Sequence, residues 1–248
     1  DKMARITARY SPADISNLVQ EAAIICVRNK RESVMMQDMS EAMERIRLGL
    51  RMRVQQSPKE KEIIAYHESG HAIITYLCEP KRDTFKVSII PRERTMGVSW
   101  SGKDESGEFG KKEALGSIMS SLGGYVAEKI KFDDTGAGVT ADFEYIMNIA
   151  HKMVYEWGMG ESGFLGNYSA LFLTKQSTEP MISEVMKARL DADVQKILTA
   201  CMGEVQTLLT RERALLDKFA SELLAKGELD YDQMEEIFKS FGKSKPSV

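Results

Sequence analysis

Apolar residues recur along most of this chain every three to four positions, and only one short region changes to a period of two. Near the start, Ser11-Pro12-Ala13-Asp14 supplies a capping hydroxyl, a proline at the first helical position and an acid in the first turn. Ile15, Leu18, Val19, Ala22 and Cys26 follow at helical spacing, so an amphipathic helix is predicted. Met36, Met39, Met43, Ile46 and Leu50 repeat in the same way and predict a second helix with a methionine-rich core face. The polar stretch 51–58 interrupts this rhythm and reads as a linker between a first unit, 1–50, and a second, 59–248.

The same punctuation returns at Ser57-Pro58, with Glu60 placed to reach back to the cap. A helix is predicted from Pro58 to about Leu77, with Ile63, His67, Gly70, His71 and Ile74 on its inward stripe. Alternation then takes over in Phe85–Ile90 and Met96–Trp100, two short strands separated by the turn Pro91-Arg92-Glu93-Arg94. From Lys111 to Phe132 a helix is predicted with Leu115, Ile118, Met119, Leu122 and Val126 toward the core. Ser117, Ser121, Gly124 and Glu128 form its second, small-residue face. Gly123-Gly124 costs such a helix about 1 kcal/mol per glycine relative to alanine, a cost that close approach of another helix offsets.

A glycine-rich turn, 135–140, leads into a helix from about Ala141 to Trp157 with Ile146, Ile149, Ala150, Met153 and Trp157 as its stripe. Ile182 to Leu224 and Tyr231 to Phe241 are charge-laced and helical. Leu208, Leu209, Leu215, Leu216 and Phe219 suit either internal packing or a neighbouring subunit. The fold class is therefore mainly α (α+β), a helical domain with a small β-sheet.

Composition narrows the function classes. With 248 residues, 43% hydrophobic and 29% charged, the chain can bury a large core. A formal charge of −3 gives no electrostatic reason to expect nucleic acid or an anionic membrane surface as partner. No apolar run is long enough to span a bilayer. The three scattered cysteines, Cys26, Cys78 and Cys201, fit buried thiols better than a disulfide framework.

Two of the three histidines stand in AYHESGHAIITYL, residues 65–77. Histidines at i and i+4 on a helix project side by side, so the ring nitrogens of His67 and His71 can share one zinc ion. Glu68, turned about 100° around the axis from His67, reaches a water on that ion and serves as general base. Two inward imidazoles otherwise each need a separate buried hydrogen-bond partner. A catalytic zinc needs a third protein ligand and an open position. His151 borders the solvent side of its helix, whereas Asp142 lies in a first turn, on the same stripe as Ile146, where the helix dipole favours an ionised carboxylate. Asp142 is the expected third ligand, with an ordinary N-terminal capping acid as the competing reading. Glu128 shares a face with Gly124 and Ser121, which suits it to accept a ring N–H from a ligand histidine.

AYHESGHAIITYL, FKVSIIPRERTMGVSW, LGGYVAEKI, TGAG and MVYEWGM, in this order, resemble the peptidase region of the FtsH-type membrane-anchored AAA+ zinc metalloproteases. ARYSPADISNLVQEAAIICVRNK is similar to the end of the small helical lid of that family's ATPase module. The resemblance covers essentially the whole chain. It implies a helical zinc metallopeptidase domain preceded by lid helices, with His67, His71 and Asp142 as ligands of Zn2+ and Glu68 as catalytic base. It also implies a homo-hexamer that unfolds proteins with ATP, and unfolded or membrane polypeptides as substrates. The parent protein would be membrane-anchored through a segment outside this chain, with this domain on the cytoplasmic side or its organelle equivalent.

Two departures from the family pattern matter. Four residues, Gly138 to Ala141, separate Thr-Gly-Ala from Asp142, where the family usually has two. No Gly-x-x-x-x-Gly-Lys-Ser/Thr loop is present, so ATP is expected only in the full-length parent and the chain reads as a fragment that begins within the lid. An unfolded segment is expected to add as a strand along residues 85–90 or 96–100, with Val87, Ile89, Gly97 and Val98 as its contacts. The competing function is a non-catalytic assembly or substrate-holding module with structural or absent zinc. Such a site usually closes with a fourth protein ligand, and Cys78, seven residues or about 10 Å along the helix from His71, is too far away to supply it.

Overall fold

A computed structural model of the chain describes residue 7 and residues 10–52, 54–93, 96–103, 109–169 and 182–245. Its elements, in order, are α1 (Pro12–Arg28), α2 (Met36–Leu48), α3 (Pro58–Cys78), β1 (Arg82–Ser88), β2 (Val98–Lys103), α4 (Lys111–Phe132), α5 (Thr140–Tyr155), α6 (Glu184–Arg211), α7 (Arg213–Lys226), β3 (Glu228–Asp230) and α8 (Tyr231–Ser240). The protein is mainly α-helical with one small sheet, as expected.

Caps set where the helices start. Ser11 and Asp14 form a reciprocal capping box on α1, as do Ser57 and Glu60 on α3, each with proline in the first turn. Helices α1 and α2 pack on each other around Leu18, Ala22, Ile25, Ala42 and Met43. The apolar stripes expected there are only half used. Ile15 and Val19 of α1 are exposed, as are Met36, Ile46 and Leu50 on or just past α2, while Met43 is buried. A two-helix layer covers one narrow strip of each partner. The face of α2 that turns inward also carries Asp38 and Glu44, because Arg31 pairs with the first and Arg92 and Lys86 with the second. The linker is pinned at its start, where Met52 N–H donates to the Pro91 carbonyl at 2.9 Å.

Helix α3 is the centre of the second unit. Ala65, Tyr66, Glu68, Ser69, Gly70, Ala72, Ile73, Ile74, Thr75 and Tyr76 are all buried, so it is surrounded rather than amphipathic. It packs most extensively on α4, and the two backbones touch at Gly70 and Gly123. A Cβ on Gly70 would lie 2.1 Å from the Gly123 carbonyl oxygen, and one on Gly123 would lie 2.5 Å from that of Gly70. The paired glycines of α4 thus offset their helix-propensity cost by letting its axis close on α3. The rest of the core comes from α5, α6, α7 and α8. Leu209, Leu215, Leu216 and Phe219 are fully buried there, so the C-terminal leucines pack internally.

The sheet order is β2-β1-β3 with antiparallel pairing throughout. Both predicted strands lie close to their expected places, but β1 begins earlier, at Arg82, and β2 later, at Val98. Ile89 and Ile90 fall beyond β1, where Ile89 N–H donates to the Gly227 carbonyl at 2.9 Å. Polar Arg82 and Asp83 enter the strand because they pair with Lys103 and Gly102, a contact that needs no apolar side chain. The three-residue β3 is too short to show a period, and it occupies the second edge of β1 at Lys86–Ser88. Of the two edges considered for strand addition, only the outer side of β2 ends the sheet among the described residues. Helix α5 ends at Tyr155, two residues before the expected Trp157. The left-handed Gly158 (φ +62°) follows, and Tyr155 takes the core position expected for the partly exposed Trp157.

Candidate metal centre

His67 and His71 sit one turn apart on the side of α3 that faces α4 and α5. Their ring centroids are 4.6 Å apart and the planes nearly perpendicular, at 84°. The space for both rings is supplied by Gly124, whose hypothetical Cβ would lie 2.6 Å from His67 Cε1 and 2.7 Å from His71 Nε2. Each Nδ1 has a fixed acceptor. Glu128 Oε1 lies 2.7 Å from His67 Nδ1, and the Ser120 carbonyl lies 2.8 Å from His71 Nδ1. In the neutral tautomers with both Nδ1–H groups donating, as metal binding requires, both Nε2 atoms present lone pairs.

Those two Nε2 atoms are 3.0 Å apart, and Asp142 Oδ2 lies 3.3 Å from one and 3.4 Å from the other. Among the described residues, His67, His71 and Asp142 form the group able to hold a metal ion. The ligand–ligand spacings suit zinc, since bonds of about 2.0–2.1 Å in a tetrahedron give edges near 3.3 Å. Asp142 reaches this point because the short 3₁₀ turn Ala137–Val139 absorbs the residues around Gly138 and starts α5 at Thr140, which leaves the aspartate in the first turn. Glu128 fixes this turn as well, its Oε2 accepting the Gly136 N–H at 2.9 Å.

The electrostatics call for a cation. Burial disfavours a charged His67, but the hydrogen bonds its ring donates to Asp142 and Glu128 and the charge of Glu68 outweigh it and push the imidazolium up to about 10. Asp142 is held well below the usual carboxylate range: burial opposes its charge, but the two imidazoles prevail. Glu68 is only 7% exposed, and burial pushes its carboxyl above the ordinary range against the pull of His71 and His67. Three carboxylates around two imidazoles in a mostly buried space need positive charge, as protons or as a metal ion.

His151 lies elsewhere, half-buried and stacked on Tyr155 with centroids 3.9 Å apart. Cys78 and Cys201 are free thiols that burial pushes up to about 11. Val87 and Ile89, expected to touch substrate, are buried at 0% and 5% exposure, Val87 in the central strand β1 and Ile89 just beyond it. Gly97 and Val98 lie at the start of β2, Gly97 directly against Glu68. Sequence reasoning did not find the Ser120 carbonyl, since a backbone acceptor leaves no trace in residue identity.

A family model for peptidase family M41 matches residues 54–237. The chain belongs to that family. A second model, the AAA+ lid domain, matches residues 1–41. The M41 chain is 35% identical over 242 residues to the ATP-dependent zinc metalloprotease FtsH of Borreliella burgdorferi, a match that covers 95% of this chain and 38% of the relative. The proteins of the same name from Nitrosococcus oceani and Thermus thermophilus are 32% and 29% identical over 97% and 98% of this chain. The chain spans 38% and 40% of those two relatives. This M41 domain is similar to the matching part of those FtsH zinc metalloproteases, the likeness its motifs implied. Among the described residues no helix is long and apolar enough to cross a membrane.

Proposed function

We propose that this M41 domain is a zinc-dependent endopeptidase that hydrolyses peptide bonds of unfolded polypeptide, with His67, His71 and Asp142 holding zinc and Glu68 as general base. The observation that carries the reading is the triangle of two Nε2 atoms and one carboxylate oxygen at 3.0–3.4 Å, with a buried glutamate next to the first histidine. When bound, zinc supplies Lewis acidity that brings the pKa of a water toward about 7 and polarises a peptide carbonyl. Glu68 takes a proton from the attacking water on its carboxylate and delivers it to the nitrogen of the departing amine. Glu128 and the Ser120 carbonyl hold the two Nδ1–H groups, which orients both rings and keeps each Nε2 available.

Substrate adds as an extended segment along the outer edge of β2, contacting Gly97 and Val98, and backbone pairing accounts for broad sequence tolerance. The matched ranges, together with the separate core of α1 and α2, support a division into lid (1–50), connection (51–58) and peptidase unit (59–248). In the parent protein the domain would work in an ATP-driven, membrane-anchored hexamer on its cytoplasmic or equivalent side, with misfolded and membrane proteins as substrates. A non-catalytic holding module is disfavoured, because the three-ligand group comes with a buried carboxylate beside it. The test is zinc analysis with casein cleavage: Glu68→Gln is expected to keep zinc and lose cleavage, and Asp142→Asn to lose zinc. A Glu68→Gln protein that cleaves like its parent rejects the mechanism.

A further inference from the structure

Gly97 stands in ordinary backbone, with no left-handed φ that would call for glycine. The demand at this position is for space. A Cβ there would lie 2.7 Å from Glu68 Oε1, 3.0 Å from Glu68 Cγ and 2.7 Å from Ile64 Cγ2. The start of β2 thus lies directly on the glutamate side chain, which is 7% exposed between this strand and its own helix. A buried carboxylate adjoining two imidazoles needs its rotamer fixed by something other than solvent. The α3 backbone fixes only its Cα.

We propose that Gly97 is a positioning residue for Glu68: the bare backbone of residue 97 packs on the carboxylate and sets the orientation from which it takes the water proton. This rests on the reading of Glu68 as general base and adds what holds that base in place. It also links the two functions of β2. The residue that rests on the base immediately precedes the strand whose outer edge receives the polypeptide, so substrate pairing and base orientation share one continuous segment.

The test is a double-mutant cycle on the full chain, with cleavage of a fluorogenic peptide and zinc content measured for every variant. Gly97→Ala is expected to keep zinc and to lower kcat at least 10-fold with KM changed less than 3-fold. The cycle is run with Ile64→Ala present throughout, which removes the 2.7 Å contact to Ile64 Cγ2. In a Glu68→Asp background the carboxylate is then one methylene shorter and withdrawn from the new methyl group, so the same alanine is expected to cost less than 3-fold. An equal fold loss in both backgrounds, or an undiminished kcat for Gly97→Ala, overturns the proposal. Gly203→Ala, whose Cβ meets nothing within 4 Å, is the glycine-to-alanine control. Loss of zinc by Gly97→Ala in the Ile64→Ala background also overturns the proposal. Glu68→Gln is measured alongside: if it remains active the general-base reading itself fails, whereas an inactive Glu68→Gln with an unaffected Gly97→Ala rejects only the positioning role.

Discussion

Glu128 Oε1 lies 2.7 Å from His67 Nδ1, and the other oxygen of the same carboxylate accepts the Gly136 N–H of the turn that leads to Asp142. One buried acid on α4 thus orients a candidate ligand on α3 and anchors the approach to another on α5. Glu128→Gln keeps the shape but loses the charge that strengthens the histidine as a donor. The expected result is a zinc affinity about 10–100-fold weaker, measured by chelator competition, with unchanged helical content. Equal affinity would remove Glu128 from the site.

Proton linkage provides a second prediction. In metal-free protein His67 is held protonated, up to about 10, whereas a ligand imidazole must be neutral. Zinc uptake at pH 7 is therefore expected to release about one proton per chain, read by calorimetry in buffers of different ionisation enthalpy. The sign for stability follows from the raised value. The stabilisation of metal-free protein by this group is fully present below the unfolded value of 6.5 and is lost as pH rises through about 10. Metal-free protein should accordingly melt progressively lower from pH 7 to 10. A flat profile, with no proton released, would contradict the charge arrangement.

The two glycine contacts make separable predictions. Alanine is the better helix former by about 1 kcal/mol, so on propensity alone Gly70→Ala and Gly124→Ala would stabilise. At Gly70 the new methyl meets the α4 backbone at 2.1 Å, and unfolding free energy is expected to fall by about 3 kcal/mol or more in urea titrations. At Gly124 the obstacles are the imidazoles, so the main loss is in zinc affinity, by about 10-fold or more. A stabilised Gly70→Ala variant would show that the helices are not in backbone contact.

How much of this was legible in the sequence depended on the kind of interaction. The α3 cap, the i, i+4 histidines and the Gly123-Gly124 approach each follow from a local rule, and the structure places those residues as the rules require. Asp142 was legible through its first-turn position, and Glu128 through its face on α4. The misplacements came where tertiary contact overrides periodicity. Met36, Ile46 and Leu50 of the α2 stripe are exposed while Met43 is buried, and the inward face also takes polar Asp38 and Glu44, which find cationic partners there. Val87 looked like an edge residue, but β3, three residues long and some 140 positions away, pairs with β1 on its second side at Lys86–Ser88, and Ile89 bonds to the Gly227 carbonyl just before β3. The Ser120 carbonyl and the clearance at Gly97 depend on three-dimensional proximity and carry no signature of their own.

The inward charges of α2 yield the last prediction. Glu44 and Arg92, at 1% and 2% exposure, form a buried ion pair between α2 and the segment after β1, and Lys86 Nζ lies 2.6 Å from the other Glu44 oxygen. Arg92 also donates to the Gly49 carbonyl at 3.2 Å, so one guanidinium ties α2, its C-terminal glycine and the sheet together. Removing one partner of a buried pair typically costs about 3–5 kcal/mol where the other charge is left uncompensated, far more than an exposed pair. Here Glu41, 3.2 Å from Arg92, and Glu228, 3.0 Å from Lys86, remain as partners, so about 3 kcal/mol is expected. Glu44→Ala is expected to lower unfolding free energy by about that amount, whereas Glu44→Leu with Arg92→Met, which removes both charges and keeps volume, should cost much less. The comparison is made by denaturant unfolding followed through far-ultraviolet circular dichroism. Equal losses for the single and double variants would mean that shape, rather than charge, holds α2 on the peptidase unit.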